Sequence, residues 1–320
     1  MAPRISLIIP TQRRAEPLAR AVRSAIGQVG LDPDAVELIV ADNDAVPSAR
    51  ALVEALAAEA SFTVIYVHEA RAGVANIRNA ALELARGELI AFLDDDEEAP
   101  PGWLAALLRV QAKYDADVVF GPVHGRAPAQ IVRHRAYFEW FFSRLDPAPE
   151  GLIDHYYGCG DSLIRRAALP DTNRPFSAAR NHSGGEDDLL FGQMHLAGAR
   201  FAWAPQAWVW EDPAPERLRL SYTLRRAFAY GQGPVARCAA REPPDRLGIA
   251  RWAVIGAGQA LVYGLAALAL WAVRAPNRAF MLDRAARGLG KLLWTKPFAI
   301  KFYGLPASET QTQAAAHPGD

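Results

Sequence analysis

The sequence predicts an α/β fold with a mostly parallel sheet flanked by helices, followed by a C-terminal helical region of different character. Short apolar runs rich in branched side chains alternate with segments of helical periodicity through the first third of the chain. Two of these runs end directly in acidic residues, as expected where parallel strands leave a buried sheet at one edge. A long, uncharged apolar segment lies near the C-terminus. These observations indicate one large α/β domain with a helical appendage.

Each predicted element has a local reason in the sequence. The apolar runs Ile5–Ile9, Glu37–Ala41, Phe62–Val67 and Leu89–Leu93 have the length of buried strands, and Pro10 stops the first of them. Apolar residues recur at helical spacing in Glu16–Ile26, Ala49–Ala58, Val74–Ala85 and Trp103–Tyr114. Farther along, we predict a strand at Ala116–Phe120, a helix at Leu189–Leu196 and a basic helix from Leu218 to Tyr230 that ends at Gly231. Because strands and helices alternate with short connections, the sheet is predicted to be parallel.

The fourth predicted strand runs directly into four acids, Asp94, Asp95, Asp96 and Glu97. An unpaired carboxylate is costly to bury, so the acids are expected where the strand leaves the core. Several carboxylate oxygens close together suit Mg²⁺ or Mn²⁺, and such an ion commonly shares substrate phosphates. The run therefore indicates a metal and nucleotide site, while a solvated acidic loop stays open as the alternative.

A second acidic motif, Glu186-Asp187-Asp188, follows two glycines and opens a predicted helix. Carboxylates stabilise a helix N-terminus, so capping is one interpretation. The other is that one carboxylate acts as a general base on an attacking hydroxyl group. Arg225 and Arg226 lie in the basic helix and are interpreted either as a clamp on phosphate or as a solvated charged face.

The composition argues against several classes of protein. The formal net charge is zero, so no nucleic-acid partner is expected. Cys159 and Cys238 are too few for a disulfide framework or a four-cysteine zinc site. The N-terminal apolar run is shorter than that of a signal peptide. We therefore expect the bulk of the protein to be cytoplasmic.

Six short motifs occur in an order and at spacings that resemble a known family. They are Ile8-Ile9-Pro10-Thr11, Ala41-Asp42-Asn43, Arg78-Asn79, Phe92-Leu93-Asp94-Asp95-Asp96, Gly184-Gly185-Glu186-Asp187 and Arg225-Arg226-Ala227-Phe228. Together they resemble inverting family 2 glycosyltransferases of the GT-A fold, and are most similar to bacterial exopolysaccharide glucosyltransferases of the succinoglycan type. The resemblance covers roughly residues 4–240.

The resemblance implies a role for each matching residue. It implies a nucleotide-diphosphate sugar as donor, with a UDP-sugar expected, and a lipid-linked saccharide as acceptor. Donor-nucleotide binding is assigned to Pro10, Thr11, Arg13, Asp42, Arg78, Asp94 and Asp95, with Asp42 on the base and Arg78 near the diphosphate. Binding of Mg²⁺ or Mn²⁺ is assigned to Asp96, Asp94 and Glu211, and binding of phosphate or acceptor is assigned to Arg225, Arg226 and Asp188. Asp187 is implied as catalytic base and Glu186 as its partner at the acceptor.

Three positions depart from the family pattern. Gln12 replaces a common tyrosine, Leu189 replaces an acid, and Glu211 stands where many relatives carry a metal-binding histidine. These departures leave open the alternative that the protein is a degenerate family member, which serves as a membrane scaffold in a polysaccharide assembly complex. The remaining alternative is another enzyme that uses sugar nucleotides, such as a nucleotidyltransferase, or a glycosidase.

The C-terminal region predicts membrane association. Residues 252–273 carry no charge and are long enough to span a bilayer core, although a buried core helix remains the alternative. Residues 278–303 interleave basic and apolar side chains, as in a segment facing anionic lipid. A single crossing would place these bases outside, so we predict peripheral or re-entrant attachment to the cytoplasmic face of the inner membrane. The expected division is a GT-A domain at 1–240, a helical membrane region at 241–305 and a disordered tail at 306–320.

Overall fold

The computed structural model describes residues 3–181, 184–298 and 300. These residues form two compact units. The first comprises the described residues up to 124 together with 144–211, and the second comprises 125–143 together with the described residues from 212 to 300. The predicted tail at 306–320 and the end of the predicted basic segment lie outside the described residues.

The described residues form strands and helices whose bounds are as follows. The strands are β1 Ile5–Thr11, β2 Val36–Asp42, β3 Thr63–His68, β4 Leu89–Phe92, β5 Glu97–Glu98, β6 Val118–Phe120, β7 Val123–Gly125, β8 Gly151–Ile153, β9 Ser162–Arg165, β10 Phe201–Trp203 and β11 Val209–Glu211. The α-helices are α1 Ala15–Ile26, α2 Arg50–Ala57, α3 Val74–Leu84, α4 Trp103–Tyr114, α5 Arg135–Phe142, α6 Glu186–Leu196, α7 Leu220–Ala239, α8 Arg246–Ala272 and α9 Arg278–Leu292.

The main sheet confirms the predicted α/β class. It has eight strands in the order β3-β2-β1-β4-β9-β6-β10-β8, and a smaller sheet has the order β5-β11-β7. Strands β3, β2, β1 and β4 are parallel neighbours, and β10 is parallel to β6. Since β1 is paired with both β2 and β4, their carboxyl ends meet at one edge, where open α/β sheets bind ligands.

The structure departs from an all-parallel sheet at β9 and β8. Strand β9 runs antiparallel to both β4 and β6, and β8 runs antiparallel to β10. Strand β9 reads Ser-Leu-Ile-Arg, which is too short and too polar at its ends to show a clear apolar period. The sequence therefore contained little signal for this insertion.

Helices cover both faces of the main sheet. Along β1, Leu7 and Ile9 pack in one apolar cluster with side chains of α1, α2 and α4. Ile8, between them, packs in a second cluster with side chains of α3 and α6. Successive strand residues point to opposite faces, and the first strand is buried on both because each face is covered.

The second unit contains α5 and the three long helices α7, α8 and α9. The prediction that the basic helix ends at Gly231 is wrong, because α7 continues through Gly231 and Pro234 to Ala239. Gly231 instead allows close helix packing, since a Cβ there would lie 2.2 Å from the carbonyl oxygen of Arg287 on α9. Gly288 of α9 likewise packs against α8, where a Cβ would lie 2.6 Å from the nitrogen of Ala260.

Helix α8 carries the apolar segment noted in the sequence. Among the described residues it is the one helix long and apolar enough to cross a membrane by length and composition, a test that a core helix can also pass. Only 11% of its most apolar 18-residue stretch is buried. A buried core helix therefore does not account for this segment within the described unit.

Candidate active site

In the first unit, the ends of strands β1, β2 and β4 bring together residues that were predicted to bind the donor nucleotide. In the sheet register Thr11 of β1 pairs with Asp42 of β2, and the Thr11 hydroxyl donates to Asp95 Oδ2 at 2.7 Å. Pro10 lies at the same end of β1, in register with Ala41. The first acidic motif after β4 is thus tied to the ends of β1 and β2, as the parallel arrangement predicted.

The four acids after β4 alternate in exposure. Asp95 and Glu97 are buried, whereas Asp94 and Asp96 are half-buried. Burial raises the pKa of Glu97 well above its usual value, and the charge of Asp94 adds to the effect. Burial also raises the pKa of Asp95 to about 6, although the nearby Arg14 opposes this. The Asp94 side chain is 37% exposed, whereas those of Asp95 and Asp96 are each 9% exposed, so Asp94 is the more accessible member of the pair expected to bind the metal.

Arg14, which the sequence did not single out, neutralises part of this motif. One of its guanidinium nitrogens lies 2.9 Å from Asp95 Oδ1 and 2.7 Å from Asp96 Oδ2. The side chain reaches both acids from the N-cap position of α1. A guanidinium group between two carboxylates relieves their mutual repulsion.

Asp42 and Arg13 are occupied by contacts within the protein. The buried Asp42 carboxylate accepts hydrogen bonds from the backbone N–H groups of Asp44 and Ala49 and from the Tyr66 hydroxyl. The Arg13 guanidinium donates to Asp44 at 2.8 Å, and this contact lowers the pKa of Asp44. Both side chains therefore shape the loop that follows β2.

Arg78 of α3 joins the two acidic motifs. Its Nη1 atom donates to Glu186 Oε1 at 2.6 Å, and its Nη2 atom lies 3.6 Å from Asp94 Oδ1. Arg78 and Glu186 are each only 5% exposed, so this ion pair is shielded from water. Burial raises the pKa of Glu186, and the charge of Arg78 opposes that rise. Asp94 and Glu186, which are far apart in the sequence, thus both lie next to the guanidinium group of Arg78.

Asp187 lies in the first turn of α6, next to Glu186. Its Oδ2 atom accepts the backbone N–H of Cys159 at 3.2 Å, and its Oδ1 atom accepts the N–H of Asp188 at 2.9 Å. Gly184 and Gly185 precede the helix with φ angles of +72° and +78°, in the left-handed region that favours glycine. Asp187 is half-buried and Asp188 is exposed.

Glu211 lies beside the first acidic motif, because β11 pairs with β5 and places Glu211 opposite Glu97. Within the described residues, no three acidic, histidine or cysteine side chains are arranged to hold a metal ion. The carboxylate oxygens of Asp94, Asp96 and Glu211 are nevertheless the ligand type that a hard divalent cation prefers. The residues present therefore fit an ion that one or two carboxylates hold together with substrate phosphates.

Arg225 and Arg226 belong to α7 in the second unit. Arg225 is exposed and Arg226 is half-buried. The Arg226 guanidinium donates to the Tyr230 hydroxyl at 2.8 Å and also lies 5.4 Å from the centre of that ring. Their predicted contact with phosphate or acceptor remains a prediction.

A further group was missed by the sequence analysis, the segment Gly158-Cys159-Gly160-Asp161. Asp161 is fully buried, its Oδ1 atom accepts the Trp103 indole N–H at 2.7 Å, and burial raises its pKa to about 7. Arg144 donates to the carbonyl oxygens of Gly158 and Asp161, at 3.0 Å in each case. Two glycines flanking a single residue were the available signal, since such a pattern can mark close backbone approach.

Comparison with known proteins identifies the family of this chain. The model of the family described as Glycosyl transferase family 2 matches residues 6–172. The chain is 39% identical over 229 residues to the succinoglycan biosynthesis protein ExoM of Rhizobium meliloti, a match covering 71% of this chain and 73% of that protein. It is 30% identical over 108 residues to the GalNAc(5)-diNAcBac-PP-undecaprenol beta-1,3-glucosyltransferase of Campylobacter jejuni, covering 33% and 34% of the two chains.

Solved structures share the fold. The mannosyltransferase PcManGT from Pyrobaculum calidifontis, in complex with GDP-Man and Mn²⁺, matches with a TM-score of 0.61 and 20% identity, over 92% of this chain and 88% of that one. A fragment of S. aureus TarS, residues 1–349 in complex with UDP, matches with a TM-score of 0.52 and 18% identity, over 90% and 89%. These likenesses confirm the predicted GT-A fold. With the family match and the identity to ExoM, they lead to one conclusion: the chain belongs to glycosyl transferase family 2.

Proposed function

We propose that this protein is an inverting, metal-dependent hexosyltransferase that builds a bacterial exopolysaccharide or another cell-surface polysaccharide. Its donor is a nucleotide-diphosphate sugar, with a UDP-sugar as the first candidate, and its acceptor is a lipid-linked saccharide. The identity to ExoM supports the exopolysaccharide setting, and the Campylobacter relative, named for an undecaprenol-linked substrate, supports a lipid-linked acceptor.

One observation carries the proposal: Arg78 contacts an acid from each motif, Asp94 and Glu186. A transfer reaction needs a site for the leaving diphosphate and a base for the attacking hydroxyl, close to each other but chemically distinct. The two motifs supply these parts at one edge of the sheet. A solvated acidic loop would not need a buried arginine between them.

On the donor side, the ends of β1 and β2 bind the nucleotide. Pro10, Thr11 and Arg13 line the base and ribose, and the buried Asp42 acts on the base by holding the loop after β2. Asp94 and Asp95 continue that surface toward the phosphates. Asp96 and Asp94, with Glu211 beside them, are the residues that hold the divalent cation. When bound, that ion neutralises charge on the departing diphosphate.

On the acceptor side, Asp187 accepts the proton of the attacking hydroxyl. The oxygen then bonds to the anomeric carbon from the face opposite the diphosphate, the bond to the diphosphate oxygen breaks, and the configuration inverts. Glu186 remains paired with Arg78 and orients the acceptor, and Asp188 contacts it. In the second unit, the proposed role of Arg225 and Arg226 is to bind phosphate or acceptor. The Cys159 N–H bond to Asp187 holds the base in place before the acceptor arrives.

The second unit attaches the protein to the cytoplasmic face of the membrane in this proposal. Leu261, Leu265 and Leu268 of α8 are at least 60% exposed, and Arg274 and Arg278 follow the helix. Apolar side chains next to bases suit a surface of anionic lipid. A membrane-attached enzyme meets a lipid-linked acceptor by diffusion in two dimensions.

The direct test is release of nucleoside diphosphate from a panel of UDP- and GDP-sugars, with and without a lipid-linked acceptor. We expect release from one donor class, dependent on acceptor and on added Mg²⁺ or Mn²⁺, and abolished by a chelator. Release that continues at the same rate in a chelator would contradict metal dependence. Release from no donor would favour the membrane scaffold instead.

A further inference from the structure

The segment Gly158–Gly160 lies against an acid from each motif. A Cβ atom built on Gly160 would lie 2.6 Å from Asp94 Oδ2 and 2.9 Å from Glu97 Oε1. A Cβ atom on Gly158 would lie 3.1 Å from Asp187 Oδ2. Gly160 therefore leaves room for two carboxylates on the donor side, and Gly158 leaves room for one on the acceptor side.

The segment is held firmly, so it cannot move away from a larger side chain at no cost. Arg144 donates to the carbonyl oxygens of Gly158 and Asp161, and also to that of Gly121 at 2.9 Å. The Ser162 hydroxyl donates to the Cys159 carbonyl oxygen at 2.5 Å. A methyl group added to either glycine would thus push on the carboxylate, because these hydrogen bonds hold the backbone.

Backbone conformation does not explain the two glycines. Neither Gly158 nor Gly160 is among the residues with positive φ, where glycine is favoured. What the two positions share is lack of space beside a carboxylate of the site. Glycine is one of the residues used where a backbone must approach a functional group closely.

We propose that Gly160 and Gly158 are positioning residues, of which Gly160 sets the place of Asp94 and Gly158, with the Cys159 N–H, sets the place of Asp187. The inference rests on the proposed function. It predicts that the same small substitution has different kinetic effects two residues apart. Displacing Asp94 weakens donor binding, whereas displacing Asp187 slows the transfer step while the donor still binds.

The experiment compares Gly160→Ala, Gly158→Ala and a matched control, Gly151→Ala, in the full-length protein. Gly151 also lacks a positive φ, and a Cβ there meets no atom within 4 Å. Nucleoside-diphosphate binding is measured by calorimetry, and kcat and the donor KM are measured by diphosphate release. Thermal unfolding of each variant shows whether it is folded.

We expect Gly160→Ala to raise the nucleotide Kd and the donor KM by about tenfold or more, since misplacement by about 1 Å can cost two orders of magnitude. Gly158→Ala is expected to lower kcat by about tenfold with the nucleotide Kd almost unchanged. Gly151→Ala should match the unchanged protein in all three constants.

A double-substitution cycle separates positioning from a general loss of structure. In an Asp94→Ala background the added methyl at position 160 no longer meets that carboxylate, although it still lies 2.9 Å from Glu97 Oε1, so Gly160→Ala should have a smaller effect on nucleotide Kd. An undiminished effect there, or an equal loss of kcat and nucleotide affinity in both glycine variants, would overturn the inference alone. Absence of diphosphate release by the unchanged protein would overturn the proposed function and the inference with it.

Discussion

At the residue scale, Arg78 is the cation on which the two acidic motifs depend. Its side chain is 6% exposed and is paired with a Glu186 side chain that is equally buried. A buried carboxylate that loses its partner keeps its desolvation cost without the compensating attraction. The pair is therefore expected to matter for folding as well as for the site.

Arg78→Ala should lower the free energy of unfolding by about 3 kcal/mol or more, because it leaves Glu186 buried without its counter-ion. Arg71→Ala is the control, since Arg71 is 70% exposed and pairs with Glu69 at the surface. Urea unfolding of both variants is the measurement. Equal, small losses in the two variants would show that Arg78 does not balance a buried charge.

Asp161 gives a prediction about pH. Its usual pKa is 3.8, and burial raises it to about 7 in the folded protein, with Arg144 and Trp103 partly opposing the rise. Between these values the folded state binds the extra proton, so the contribution of this residue to stability falls as the pH rises to about 7 and then stays constant.

Asp161→Asn removes that ionisation. The melting temperature of the variant minus that of the unchanged protein should therefore increase from pH 5 to pH 8, as followed by circular dichroism. The same substitution at the exposed Asp171, whose pKa is lowered by hydrogen bonds from the backbone N–H groups of Arg174 and Asn173, is the control, and it should show no such increase. A difference that stays constant across this range, or falls, would contradict release of a proton by folded Asp161 between pH 5 and pH 8.

At the element scale, the strands and helices that carry the site were predictable because apolar periodicity is strong in buried parallel strands and their helices. The predictions for α1, α3 and α4 agree with the structure within a residue or so. Strand β9 and the second half of α7 were not predicted. The first is a short strand with polar ends, and in the second a glycine and a proline conceal a helix stabilised by packing against α9.

Among the residues of the candidate site, too, some could be predicted from the sequence and others could not. The acids at the ends of β2 and β4 could be found because charge next to an apolar run is visible in the sequence. Arg14 and Arg144 could not, since their roles come from contacts with distant residues. Gly158 and Gly160 matter because they have no side chain where a carboxylate lies close to the backbone. The sequence shows that they are glycines but not which side chains lie next to them.

Helix α8 gives a prediction for membrane binding. Leu261→Glu together with Leu265→Glu should weaken binding of the full-length protein to anionic phospholipid vesicles by about tenfold or more, because each leucine contributes apolar area to the contact. Flotation of the protein with vesicles measures this. Leu196→Glu, at an 88% exposed position on α6, is the control and should bind as the unchanged protein does. Unaltered binding of the α8 variant would exclude this face from membrane contact.

At the scale of the whole molecule, the chain combines two units of different character. The first is an α/β unit with a buried acid and arginine network at one sheet edge. The second is helical, with an apolar exposed helix that basic residues follow in the sequence. This composition matches an enzyme that takes a soluble charged donor and an acceptor held in a lipid surface, which is the proposed function.

The central claim is that the first acidic motif prepares the leaving group and the second activates the attacker. Its most direct test is diphosphate release by Asp187→Asn, with binding of the intact donor measured in parallel and Asp188→Asn as the neighbouring comparison. We predict that Asp187→Asn lowers kcat by roughly 10²–10⁴-fold, as for loss of a general base, while donor binding is largely retained. An Asp187→Asn variant that turns over at the rate of the unchanged protein would contradict the account.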